Sequence, residues 1–151
     1  MKIASEQEML DFGKNFADKI EPSPAHVIEL VGDVGAGKTT FVRGLAQGLG
    51  VKQEVTSPSF TISKSYALPD GHNLVHYDFY RLSNPGLMLD DLQEKIKDGN
   101  IVVIEWGEEV ADVLPENHTK ITIEYNDDGT REVTILWNYT WIPAHQRPFW
   151  N

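Results

Sequence analysis

With 151 residues, 40% of them hydrophobic and 24% charged, the chain has the size of one ordinary domain able to bury a core, which excludes a disordered, collagen-like or coiled-coil polymer. Cysteine is absent, so neither a disulfide framework nor a thiolate metal site is available. Acids outnumber bases 23 to 13, and a net charge of −10 gives no electrostatic footprint for gripping DNA or RNA unaided, so a role on RNA would run through another protein.

The start, MKIASEQEML, holds no apolar stretch of signal-peptide length, and no run approaches eighteen apolar residues. A cytoplasmic chain with no membrane contact is expected, organised as a single domain over 1–151 with an aromatic tail from 138 to 151. Ser5-Glu6-Gln7-Glu8 has the form of a capping box and opens a helix to about Ile20, with Met9, Phe12, Phe16 and Ile20 at helical spacing. Pro22 and Pro24 stop it. His26 to Val31 reads as a nearly continuous apolar strand, buried on both faces. Gly32 to Gly37 is a glycine-rich turn, and Lys38 to Leu49 resumes helical periodicity until Gly50 ends it.

Strand-like runs at about Phe60 to Ala67 and Asn73 to Arg81 flank Pro69-Asp70-Gly71, which reads as a hairpin. Asn84-Pro85 opens a helix to about Lys97, and Ile101 to Ile104 is a second fully apolar strand. Thr119 to Tyr125 and Arg131 to Trp137 alternate around Asn126-Asp127-Asp128-Gly129, a second hairpin. The order predicts an α/β fold: three layers, P-loop NTPase-like, with a mixed central sheet flanked by helices and two β-hairpins.

Gly32-Asp33-Val34-Gly35-Ala36-Gly37-Lys38-Thr39 matches G-x-x-x-x-G-K-[ST] completely, between an apolar strand and an amphipathic helix. Glycines let the backbone wrap a phosphate that any side chain would hold off. The amides of Gly35 to Thr39 would face the β-phosphate, reinforced by the helix dipole. Lys38 would reach the β- and γ-phosphates and Thr39 would ligate magnesium. ATP with Mg2+ is therefore the expected cofactor, with Asp33, Gly35, Ala36, Gly37, Lys38, Thr39 and Thr40 around it.

Such a site needs an acid at a strand end for the metal's water shell. Glu105 follows four apolar residues and is assigned to the metal beside Thr39. Asp78 follows a more mixed run and takes a catalytic or water-positioning role, or else fixes Arg81 or the hydroxyl-rich loop at 55–59 as a structural carboxylate. Neither [NT]-K-x-D nor D-x-x-G occurs, which argues for adenine over guanine. Trp106 is a stacking surface near the nucleotide or a partner contact, against the alternative of core filling. Only Arg43, Arg81, Arg131 and Arg147 are present, few for clamping a phosphorylated acceptor, so an ATPase fits better than a small-molecule kinase. Arg43 and Arg81 are the internal candidates for neutralising transition-state charge, with a structural ion-pair role as the alternative for either. A nucleotide-dependent binding module without relevant hydrolysis stays open as a further alternative. His72 and His76, read as one strand, stand too far apart to share a metal.

The run from Gly32 to Thr40, Ser57-Pro58-Ser59-Phe60-Thr61, His76-Tyr77-Asp78-Phe79-Tyr80-Arg81-Leu82 and Ile104-Glu105-Trp106 together resemble the bacterial TsaE (YjeE) family over roughly Met1 to Tyr125. The resemblance implies the ATPase component of tRNA threonylcarbamoyladenosine (t6A) biosynthesis, working with TsaD and TsaB, with tRNA met only through that complex. It implies Lys38, Asp78 and Glu105 as the residues of catalysis, Thr39 and Glu105 at magnesium, and Ser57 to Thr61 as a loop sensing the γ-phosphate. Ser59 stands where many relatives carry Thr, which keeps the hydroxyl.

Overall fold

The computed structural model describes residues 1–20, 26–33, 35–58, 62–79, 86–106, 114–115 and 118–139. The prolines at 22 and 24, the cap at 84–85, Ser59, Thr61, Arg81 and the tail beyond 139 lie outside these residues.

Helix α1 spans Glu6–Ala17. The Ser5 hydroxyl accepts from the Glu8 amide at 3.1 Å, as a capping box requires. The return bond differs, because the Glu8 carboxylate accepts from the Ala4 amide at 2.6 Å and not from that of Ser5. The helix ends three residues before Ile20, with the Asp18, Lys19 and Ile20 amides bonding back in short turns. Helix α2 covers Lys38–Leu49 and is closed by Gly50, whose φ of +90° is a left-handed stop that a glycine adopts freely.

These two helices meet backbone to backbone. A Cβ on Gly44 would lie 2.1 Å from the Leu10 carbonyl, and one on Gly13 2.4 Å from the Phe41 carbonyl. Phe12, Phe16 and Phe41 fill the wedge beside that seam, with ring centroids 5.4 to 6.2 Å apart. The Gly44→Ala change sets a helix-propensity gain of up to about 1 kcal/mol against a backbone clash that overpacking data put at about 1–3 kcal/mol. The clash wins because a carbonyl of a packed helix cannot rotate away. A net loss of about 2 kcal/mol in urea unfolding is expected, and a variant as stable as wild type would contradict the close seam.

The strands are β1 (Lys2–Ile3), β2 (His26–Gly32), β3 (Ser63–Ala67), β4 (Asn73–Asp78), β5 (Ile101–Glu105), β6 (His118–Tyr125) and β7 (Arg131–Tyr139). They form one mixed sheet of order β1-β7-β6-β2-β5-β4-β3, and helix α3 spans Gly86–Lys97. Strands β6, β2, β5 and β4 run parallel, and antiparallel pairings of β3 on β4, β7 on β6 and β1 on β7 complete the edges. Both expected hairpins are present, β3–β4 and β6–β7.

Alternation along the central strands sends side chains to two separate cores. Ile28, Leu30, Val103, Leu74 and Ile121 pack with α1 and α2. Val27, Val102, Ile104, Val75 and Tyr77 pack with Leu92 of α3. The sheet thus lies between helices on both faces. Strand β4 stops at Asp78 rather than Arg81, and His72 lies in the turn before it, with Nδ1 3.2 Å from Asp70.

Candidate functional site

Three chain segments converge at the C-terminal edge of the parallel strands, where open α/β sheets bind ligands. The registers are level there: Leu30 of β2 pairs with Glu105 of β5, and Asp78 of β4 pairs with Glu105 from the other side. Glu105 and Asp78 share the parity of Val103 and Leu74, so both carboxylates face the α1–α2 layer.

The glycine-rich loop leaves β2 at Gly32, where a Cβ would come within 2.7 Å of the Ile123 carbonyl on β6. Only a glycine lets the two strands pass that closely. The loop then turns on Gly35 and Gly37, at φ +82° and +109°, and the Ala36 amide donates to the Asp33 carbonyl at 3.0 Å. Gly37 caps α2 without any side-chain bond to the first-turn amides. Asp33 and Gly35 are exposed, while Thr39 and Thr40 are half-buried.

Lys38, the first residue of α2, turns back into the site. Its Nζ donates to the Gly32 carbonyl at 2.6 Å and lies 3.4 Å from Glu105 Oε1. The other carboxylate oxygen, Oε2, meets His76 Nε2 at 2.5 Å. Glu105 is 4% exposed and His76 is fully buried, with its Nδ1 lacking a hydrogen-bond partner. Burial pushes the Glu105 carboxyl upward, but the His76 hydrogen bond, the His76 charge and Lys38 together hold it below the ordinary carboxylate range. It is therefore a carboxylate throughout the neutral range. Because the folded value lies below the unfolded one of about 4.5, its stabilising contribution is full above that pH. That contribution is lost as pH falls through the folded value.

Asp78 is buried, and its amide donates to the Ile62 carbonyl at 2.8 Å, tying β4 to the chain entering β3. The Phe79 amide donates to the Glu105 carbonyl at 3.1 Å, which locks the two acidic strand ends together. Trp106 follows at φ +60°, is 39% exposed, and lies with its ring 5.2 Å below Lys38 Nζ. Core filling is thereby excluded for it. A cavity of about 460 Å³ opens beside Gly32, Asp33, Lys38, Trp106 and Tyr125. Ser57 is exposed in the loop between α2 and β3, and Thr61 and Arg81 fall outside the described residues.

The arrangement therefore combines backbone amides at a helix start, one lysine and two carboxylates on neighbouring strands. The family-model comparison decides what kind of chain carries it, since the model for threonylcarbamoyl adenosine biosynthesis protein TsaE matches residues 3–133. This chain belongs to the TsaE family. The TsaE protein of Haemophilus influenzae is 38% identical over 138 residues, covering 89% of this chain and 86% of its own length. That of Treponema pallidum is 44% identical over 111 residues, covering 72% and 80%. Both carry the name tRNA threonylcarbamoyladenosine biosynthesis protein TsaE. The crystal structure of Bacillus subtilis YdiB matches with a TM-score of 0.74 at 31% identity, over 92% of this chain and 84% of that one.

The TsaE match runs past Tyr125, the limit of the resemblance read from motifs, and takes in Arg131. Sequence reasoning missed several residues of this TsaE-family site. Spacing along the chain compares His76 with His72 as a metal ligand, whereas its partner is Glu105 on the neighbouring strand. A buried Glu29 on β2, paired with His118 Nε2 at 3.0 Å, breaks the apolar character expected of that strand. Both signals needed the strand pairing, which spacing along the chain does not carry.

Proposed function

We propose that the protein binds ATP with magnesium at the Gly32–Thr39 loop and hydrolyses it in the service of t6A modification of tRNA, with TsaD and TsaB as partners. The observation carrying this reading is the setting of Lys38. Its ammonium is poised between the loop's first carbonyl and a buried strand-end carboxylate, so an incoming phosphate can take it over without refolding.

The donor chemistry fits magnesium, which favours a hydroxyl, one or two carboxylates and phosphate oxygens over nitrogen or sulfur. Thr39 and Glu105 would hold it, and bound magnesium would neutralise charge on the phosphates. Glu105 Oε1 is engaged by Lys38 at present. Movement of Lys38 onto the phosphates would free that oxygen for the metal. Asp78, level with Glu105 in the register, would orient the attacking water. Ser57 and Thr61 are assigned to γ-phosphate sensing, and Trp106 to the nucleotide's flank. The acidic chain would leave tRNA to its partners.

Transition-state charge is the weak point of the isolated chain. Among the described residues, Arg43 reaches Glu6 at 4.0 Å and Arg131 is bonded to the Ala36 carbonyl. Hydrolysis alone should therefore be slow and should rise by about tenfold or more on adding TsaD and TsaB. Steady-state ATPase with and without the partners, run alongside t6A formation on tRNA, checks this. Full-rate hydrolysis by the isolated protein would overturn the partner-dependent reading, as would t6A synthesis that continues through many turnovers without it.

A further inference from the structure

We propose that Tyr125 and Arg131 are positioning residues that hold the glycine-rich loop in its anion-receiving shape from the base of the β6–β7 hairpin. The inference rests on the reading of that loop as the nucleotide site. Tyr125 ends β6, Arg131 begins β7, and the two pair directly in register. Their side chains reach two consecutive peptide groups of the loop. The Tyr125 hydroxyl donates to the Gly35 carbonyl, and Arg131 Nε donates to the Ala36 carbonyl at 3.1 Å. The guanidinium lies 4.0 Å over the Tyr125 ring, so each side chain also braces the other.

The hairpin offers a stiff mount. The Asn126 amide donates to the Thr130 carbonyl at 2.9 Å, and Asp128 accepts from the Thr130 amide at 3.0 Å. Arg131 also donates to the Gly129 carbonyl at 3.0 Å, fixing its fork.

A planar peptide puts its N–H opposite its C=O. Holding the Gly35 carbonyl therefore turns the Ala36 N–H to the opposite side, where it closes the turn on the Asp33 carbonyl. Holding the Ala36 carbonyl aims the Gly37 N–H away from Arg131. Gly35 and Gly37 sit at positive φ, and left alone such residues sample many other backbone states. Two side-chain bonds on adjacent carbonyls remove that freedom before a ligand arrives, which raises affinity without any contact to the ligand. A packing role accounts poorly for the pair, because Tyr125 is 49% exposed and its hydroxyl is the part that meets the loop.

The test uses Tyr125→Phe, Arg131→Ala, Arg131→Lys and the double variant Tyr125→Phe/Arg131→Ala in the full chain. Magnesium-ADP affinity is measured by calorimetry, amide hydrogen exchange across residues 35–38 without nucleotide, and the thermal midpoint. Loss of one neutral hydrogen bond should weaken affinity about fivefold in Tyr125→Phe, and loss of the charged one about tenfold in Arg131→Ala. The double variant should fall short of the product of the two, because either loss alone frees the loop. Arg131→Lys should recover most of the affinity by restoring one donor. Exchange at residues 35–38 should accelerate while the thermal midpoint barely moves.

Wild-type affinity and exchange in the single variants, with Lys38→Ala still unable to bind, would overturn this inference and leave the nucleotide reading standing. Affinity that falls only in step with the thermal midpoint, without rescue by lysine, would reduce the pair to a structural role and also overturn it. A wild-type chain that binds no nucleotide would remove both.

Discussion

Lys38→Ala is expected to abolish productive ATP binding while leaving a folded protein. The chain is acidic overall, and Lys38 is the cation the loop motif sets against the terminal phosphates. Its removal leaves the triphosphate facing Glu105 and Asp78 with no lysine between, so the pocket turns from attractive to repulsive. The buried Glu105 carboxylate keeps His76 as its partner, which limits the structural damage. Removing one partner of a fully buried pair typically costs about 3–5 kcal/mol, and the retained His76 contact should hold the loss well under that. An ATP titration by calorimetry, with circular dichroism to verify folding, makes the comparison. Wild-type affinity and turnover in the variant would defeat the assignment of the loop.

Glu105→Gln is expected to lower magnesium-dependent turnover by about 10–100-fold while changing nucleotide affinity far less. The amide keeps the shape of the carboxylate and can still accept a bond from Lys38 or His76, but it presents a donor to the other. What the variant cannot restore is the negative charge that orients the metal's shell. Turnover measured across a magnesium titration separates the two effects. Unchanged magnesium dependence would transfer the role to Asp78, the register neighbour of Glu105. The same variant should also flatten the acid side of the stability–pH profile, since the depressed Glu105 carboxyl is one source of the loss on acidification.

What could be read in advance follows from the range of the interaction. The loop was legible because its glycines answer a local steric demand, visible as Gly32 against Ile123 and as positive φ at Gly35 and Gly37. The position of Glu105 was legible because four apolar residues mark a buried parallel strand, whose last residue it is. Helix α2 matched its expected bounds because glycine brackets it at both ends. Strand β1 was not legible, since two residues give no period to detect. The His76–Glu105 bond joins residues 29 apart and the Tyr125–Gly35 bond residues 90 apart, and both exist only once strands are laid side by side. Trp106 was ambiguous because a tryptophan after an apolar strand suits a core as well as a rim. Its left-handed backbone, which turns it outward over Lys38, leaves no trace in composition.

The glycine seam between α1 and α2 also sets a clock. Helices whose backbones touch at Gly13, Gly44 and Gly48 cannot slide past one another without separating, so α2 is fixed relative to α1. Lys38 and Thr39 ride on the first turn of that fixed helix. If the proposed nucleotide binds, moving the Lys38 ammonium from Glu105 to a phosphate would be a matter of side-chain torsions. Torsional hops of this kind outpace the microsecond-to-millisecond range of helix displacements. On the proposed reading, arrival of a phosphate would then ask for no displacement of α2 against α1, which leaves any slower rearrangement to the contacts this chain makes with a partner.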